Sequence, residues 1–295
     1  MTHVTANAPL RPRARVGIFA KTFPGTTPLD VLTQARDAGF DDVQYNMACS
    51  GLSSLPRAVS DDDVFRLRMA MHDTGVGIVA LSATCNLIHP DVMVRGAGLQ
   101  SLAILADVAE QIGIPVLTLC TGSRDTADQW APHPDNVGAD AWRDLIDSMR
   151  AAIRVATKFD VMLGIEPETG NVVNSAFAAR RLLDELQSER VGIIIDAANL
   201  IEPQHHTTPA SRAEVVAQAV ELLADRIVLV HAKDRSADGS VVAPGGGMVD
   251  FDGYFGALKV AGVRAPVIGH GLNPSAASAT AAFLRQRLAA VCHRD

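Results

Sequence analysis

Eight short runs rich in valine, isoleucine and leucine recur along the chain, and between them lie segments whose apolar residues repeat at helical spacing. The runs cover residues 16–20, 42–45, 77–81, 115–120, 161–165, 191–195, 227–230 and 266–269. Each is too short for a helix, and the most continuous of them suit strands buried on both faces of a parallel sheet. The spacing predicts helices over 28–38, 62–74, 91–112, 141–159, 175–188, 211–224, 254–260 and 275–291, with Gly39, Gly75, Gly113 and Gly262 as stop signals.

Eight strands alternating with eight helices fit a closed (β/α)8 barrel, typically about 250 residues long. The chain has 295 residues, 48% of them hydrophobic, and no composition shift divides it. We therefore expect one domain over 15–295, preceded by a basic, proline-containing tail over 1–14 that lacks the apolar stretch of a secretory signal. A doubly wound open sheet is the alternative. It is disfavoured because 19–28 reads FAKTFPGTTP, with one glycine where a dinucleotide-binding turn carries several.

Net charge is −7, which argues against nucleic-acid and membrane-surface partners and for a small-molecule ligand. Every apolar run ends at a charge or turn within roughly ten residues, against the ~18 needed to cross a bilayer. Cys49, Cys85, Cys120 and Cys292 are scattered and form no C-x-x-C pair, so we read them as reduced thiols in a cytoplasmic protein.

In a parallel barrel the chemistry sits at the C-terminal strand ends. Glu166 follows the fifth run, Asp196 the sixth, His231 the seventh, and His270 the eighth. Any one of these alone reads as the cap of a turn. Two carboxylates and two imidazoles leaving neighbouring strands at one height would converge, and unpaired carboxylates there are costly to bury. One divalent cation resolves that cost. Mixed oxygen and imidazole ligation suits manganese, iron, cobalt or zinc better than calcium without ranking them; the ion expected is Mn2+, with Co2+, Fe2+, Zn2+ or Mg2+ as alternatives.

The segments IEPETGNVV (165–173), IIDAANL (194–200), VHAKD (230–234) and PGGGMVDFDGYFGAL (244–258) resemble the xylose-isomerase-like TIM-barrel superfamily. Within it the chain is most similar to the sugar phosphate isomerase/epimerase group, which includes ketose 3-epimerases and inosose dehydratases. The resemblance runs over roughly 15–292. It implies metal ligation by Glu166, Asp196 and His231, and a fourth ligand at the end of the eighth strand. That position is glutamate in the family and His270 here, and a histidine often found three residues after the sixth-strand aspartate is Asn199 here.

The resemblance also implies paired acid–base groups on the fifth and eighth strands, so Glu166 and His270 are the catalytic candidates. Lys233 joins them as a cation able to hold an enolate oxygen. Glu168, Asn86, His89, Trp130, His133 and Asn199 are assigned to the substrate, Trp130 and His133 by stacking on and hydrogen-bonding a sugar ring. Asp234 is a candidate to orient an imidazole N–H, His205 and His206 to sit in a lid, and Gly245 to Gly247 to form a turn positioning Asp250.

The expected function is a divalent-metal-dependent isomerase or epimerase acting on a ketose or keto-sugar through an enediolate. A lyase or dehydratase expelling a β-substituent is the runner-up. A DNA-repair endonuclease is disfavoured by charge, and a binding subunit without catalysis has only His270 and Asn199 in its favour. A homo-oligomer is compatible with all of these readings.

Overall fold

A computed structural model describes residues 15–292. The expected tail over 1–14 lies outside the described residues. Eight parallel strands close into a barrel: β1 (Gly17–Phe19), β2 (Asp42–Tyr45), β3 (Gly77–Ser82), β4 (Val116–Cys120), β5 (Met162–Glu166), β6 (Val191–Asp196), β7 (Ile227–Ala232) and β10 (Val267–Gly269). Strands β8 (Asp234–Arg235) and β9 (Val241–Val242) form a small antiparallel hairpin beyond β7 that the sequence reading missed. Two-residue strands carry no periodicity to read.

The barrel is wrapped by α1 (Pro28–Asp37), α2 (Asp61–Thr74), α3 (Val92–Ile112), α4 (Ala139–Lys158), α5 (Ala176–Leu186), α7 (Pro209–Leu223), α8 (Phe251–Val260) and α9 (Ala277–Cys292), with a single turn, α6 (Ala197–Leu200), directly after β6. Local sequence accounts for the boundaries. Ser60 and Asp63 form a reciprocal capping box that starts α2, and Gly75 and Gly113 end α2 and α3 in left-handed conformations.

Two apolar layers hold the barrel. The larger lies between strands and helices. The smaller fills the lumen with Ala80, Val116, Ile194, Leu229 and Ile268, backed by Phe19 and Met162. Successive strand residues point to opposite faces, so the lumen residues fix the parity of everything above them. Two positions on from Ile194, Leu229 and Ile268 stand Asp196, His231 and His270, and on β5 the lumen-facing Gly164 precedes Glu166 in the same way. A Cβ on Gly164 would lie 2.9 Å from Ile194 Cγ1, so the glycine makes room for the isoleucine that fills the lumen.

By length and mean hydropathy α3 could cross a membrane, which corrects the expectation that no window of the chain approaches that length. In the fold it is a barrel helix, with Leu102, Leu105, Ala106 and Ala109 buried.

The segment after β7 is organised by Asp234. Its carboxylate accepts backbone N–H groups from Gly245 (3.0 Å), Gly247 (2.8 Å), Val249 (3.0 Å) and Arg235 (2.8 Å). That employment corrects its expected role beside an imidazole. Gly247 is required here, since a Cβ would stand 2.4 Å from Arg235 O. Asp250 caps α8 through Gly253 N–H. Asp234→Ala should leave those amides without an acceptor and cost about 3 kcal/mol, read as a fall in Tm with faster proteolytic cleavage between residues 235 and 249.

Candidate metal centre

Glu166 is the last residue of β5, Asp196 the last of β6, and His231 the penultimate residue of β7. Asp196 and His231 are direct partners in the β6–β7 register. One ligand atom from each of the three lies within 4.8 Å of the other two. Donors bound to one ion at about 2.0–2.2 Å stand about 3–4 Å apart, so a small inward movement completes the contact.

The cluster is buried and almost fully hydrogen-bonded. His231 Nδ1 lies 3.0 Å from Glu166 Oε1, and its Nε2 lies 2.8 Å from Gln44 Oε1 on the far side of the lumen. Asn199 Nδ2 donates to Glu166 Oε1 (3.1 Å) and to Pro167 O (3.3 Å), while its Oδ1 accepts from Lys233 Nζ (2.7 Å). Lys233 Nζ also stands 3.2 Å from Asp196 Oδ2. The backbone N–H of Ala198 donates to Asp196 Oδ1, while the buried Asp196 Oδ2 makes no aligned hydrogen bond and is met by the Lys233 ammonium as an ion pair. Two carboxylates and an imidazole nitrogen brought this close are a donor set that a divalent cation fits.

The protonation states follow from these neighbours. Burial would raise Glu166, but the charges of His231 and Lys233 outweigh it and hold the carboxyl well below its usual range. Burial likewise opposes the charge on Lys233, and Asp196 and Glu166 overcome it, so the ammonium stays charged. Glu168 is pushed up to about 7 by burial and by the charges of Glu166 and Asp196. His270 is pushed down to about 3 by burial and by His231, so its imidazole is neutral.

His270 stands outside the three-residue cluster. Its ring stacks between Phe19 (centroids 4.8 Å apart, 14° between planes) and His231 (5.0 Å, 25°). An imidazole lone pair lies in the ring plane, and two nearly parallel stacked rings do not aim at one ion. Its Nδ1 is buried with no partner among the described residues.

The remaining sequence candidates separate. Asn199 serves the cluster itself, bridging Glu166 and Lys233. Asn86, His89 and Trp130 share a different cleft of about 900 Å³, between α3 and the loops after β2, β3 and β4, which no member of the Glu166 cluster lines. His133 is turned to its own loop, where Nδ1 accepts from Asp135 N–H. The same is true of His205 and His206: the first pairs with Glu202 at 3.1 Å, and the second accepts from Glu202 N–H. Cys49, Cys85 and Cys120 are free and buried, and burial raises the Cys49 thiol to about 11 and the Cys85 thiol to about 12. Sequence reasoning missed Gln44, whose only signal was an uncharged polar residue at a lumen position of the second run, DVQY.

Lys233→Met should expose the charge balance of the centre. Without the ammonium, Glu166 and Asp196 are buried with too little positive charge, and the metal-free protein should lose about 3 kcal/mol or more. Differential scanning fluorimetry with and without Mn2+ checks this: the ion should raise Tm more in the variant than in the wild type.

The profile of the xylose isomerase-like TIM barrel family matches residues 32–287. L-ribulose-5-phosphate 3-epimerase UlaE of Escherichia coli is 24% identical over 259 residues, which cover 86% of this chain and 85% of that protein. Among solved structures, an L-ribulose 3-epimerase superposes with a TM-score of 0.73 at 18% identity, covering 95% of this chain and 96% of that one. A xylose isomerase-like TIM barrel protein from Mycobacterium smegmatis in complex with magnesium superposes at 0.68 with 16% identity, covering 95% and 98%. The lumen-facing parity, the closed eight-stranded barrel and the matched profile agree: the chain belongs to the xylose isomerase-like TIM barrel family.

Proposed function

We propose that this protein is a divalent-metal-dependent epimerase or isomerase of a ketose or keto-sugar. The observation that carries the reading is the convergence of Glu166, Asp196 and His231 at the mouth of the barrel, their ligand atoms within 4.8 Å of one another. The names of the relatives, a ribulose-phosphate epimerase and a ribulose epimerase, favour a small sugar as substrate. The magnesium complex of the mycobacterial relative favours a divalent ion, and the donor set suits manganese.

Glu166, Asp196 and His231 would hold a divalent ion, which would supply Lewis-acid polarisation of a substrate carbonyl. The protein's own groups do the rest. Glu166 takes the proton on the carbon next to the carbonyl. Lys233, fixed by Asn199 and Asp196, brings positive charge to the oxyanion. His270, neutral and with Nδ1 unpaired, offers a hydrogen-bonding partner to a substrate oxygen where the resembling epimerases carry a carboxylate. Glu168 lies two residues on from Glu166 in the strand-end loop as a second, half-buried carboxyl near the same charges.

Incubating the Mn2+-loaded enzyme with candidate ketoses in D2O should place deuterium on the carbon next to the carbonyl. Glu166→Gln should lower that exchange at least ~100-fold. A product of unchanged mass apart from the label means epimerisation or isomerisation. Loss of water means elimination instead, and turnover without label would exclude Glu166 as the base.

The ligand assignment has its own measurement. His231→Ala should weaken Mn2+ binding at least ~10-fold by removing a donor, whereas His270→Glu should retain the ion. Equal Mn2+ affinity in His231→Ala and wild type, by isothermal titration calorimetry, would remove His231 from the ligand set.

A further inference from the structure

We propose that Gln44 is the positioning residue of the metal centre: it holds His231 by its Nε2–H and so turns Nδ1 toward Glu166 and Asp196. The inference deepens the metal-site reading above and rests on it for its consequence, though not for its geometry.

Gln44 lies on β2 and His231 on β7, which are not neighbours in the barrel, so their contact spans the lumen. Both are buried, at 4% and 1% exposure. The 2.8 Å contact joins Gln44 Oε1, an acceptor, to His231 Nε2, which must therefore carry a hydrogen. The other imidazole nitrogen, Nδ1, is the one that faces Glu166 Oε1.

The amide is itself oriented from the next two strands. Gln44 Nε2 donates to Ser82 Oγ on β3 (3.3 Å) and to Thr118 Oγ1 on β4 (3.4 Å). Both hydroxyls lie at lumen positions, two residues on from Ala80 and Val116 of the lumen core. A chain of contacts thus runs from β3 and β4 through Gln44 to His231. A histidine that gives one nitrogen to a cation needs an acceptor for the hydrogen on the other, and no second acceptor for Nε2 stands among the described hydrogen bonds.

The choice of glutamine has a physical reason. A leucine at this position would leave the Nε2–H buried without its Gln44 acceptor, and the ring would lose the hydrogen bond opposite Glu166. A glutamate would keep the acceptor. Position 44 is thereby a control on ligand geometry from outside the Glu166–Asp196–His231 group.

The test combines a measurement on the metal-free protein with one on ion binding. In 15N-histidine-labelled wild type without metal, NMR should find the His231 Nε2 protonated and slow to exchange. A lone pair at Nε2 would overturn the proposal, whatever the ion does. Calorimetry with Mn2+ should then show Gln44→Leu binding ~10- to 100-fold more weakly than wild type, with Gln44→Glu within a few-fold. Where wild type binds Mn2+, an equal affinity for Gln44→Leu would also overturn it. A wild type with a held Nε2–H but no affinity for Mn2+ would support the positioning by Gln44 and refute the metal reading of the preceding section.

Discussion

Two carboxylates face each other in the mouth of this barrel, and the cost of burying them governs what surrounds them. Glu166 is answered by the His231 imidazole and the Asn199 amide, and Asp196 by the Lys233 ammonium. Asn199 ties the two halves together by donating to Glu166 and accepting from Lys233. A site arranged in this way already carries most of the positive charge that its carboxylates demand, yet keeps a donor set open to a cation.

Holding that arrangement requires a rigid frame, which the closed sheet provides. Parallel pairing fixes Asp196 opposite His231 and Cys120 opposite Glu166, while the lumen core below sets which residues face inward. Gly164 yields its volume to Ile194, and the loop above β7 is gathered onto the Asp234 carboxylate. The connections that lead out of the site are therefore anchored by buried hydrogen bonds as well as by the strands.

One strand end carries a ring where the resemblance implies a carboxylate. His270 occupies the last strand end as a neutral ring sandwiched between Phe19 and His231. A stacked neutral imidazole brings no negative charge to the cluster. Lys233 is committed to Asp196 and Asn199, which keeps its charge at the carboxylates rather than in a loop.

Much of this was legible in the chain itself. Eight apolar runs with intervening helical spacing determine a parallel barrel, because short strands buried on both faces need helices to cover them and closure to remove their edges. The residues ending the fifth, sixth and seventh runs determine a metal-capable mouth for the same reason, since strand direction alone puts them at one end. Individual strand bounds shifted by a residue or two, enough that Glu166, Asp196 and His231 lie within their strands rather than after them. Tertiary structure decided the partners. It turned Asp234 to a loop of backbone amides, put Asn86, His89 and Trp130 in a separate cleft, stacked His270 out of the ligand cluster, and brought Gln44 across the lumen to His231. Sequence spacing reports which strand a residue ends and which face it shares. Contacts across a closed lumen depend on barrel register and side-chain rotamers, and no local pattern encodes them.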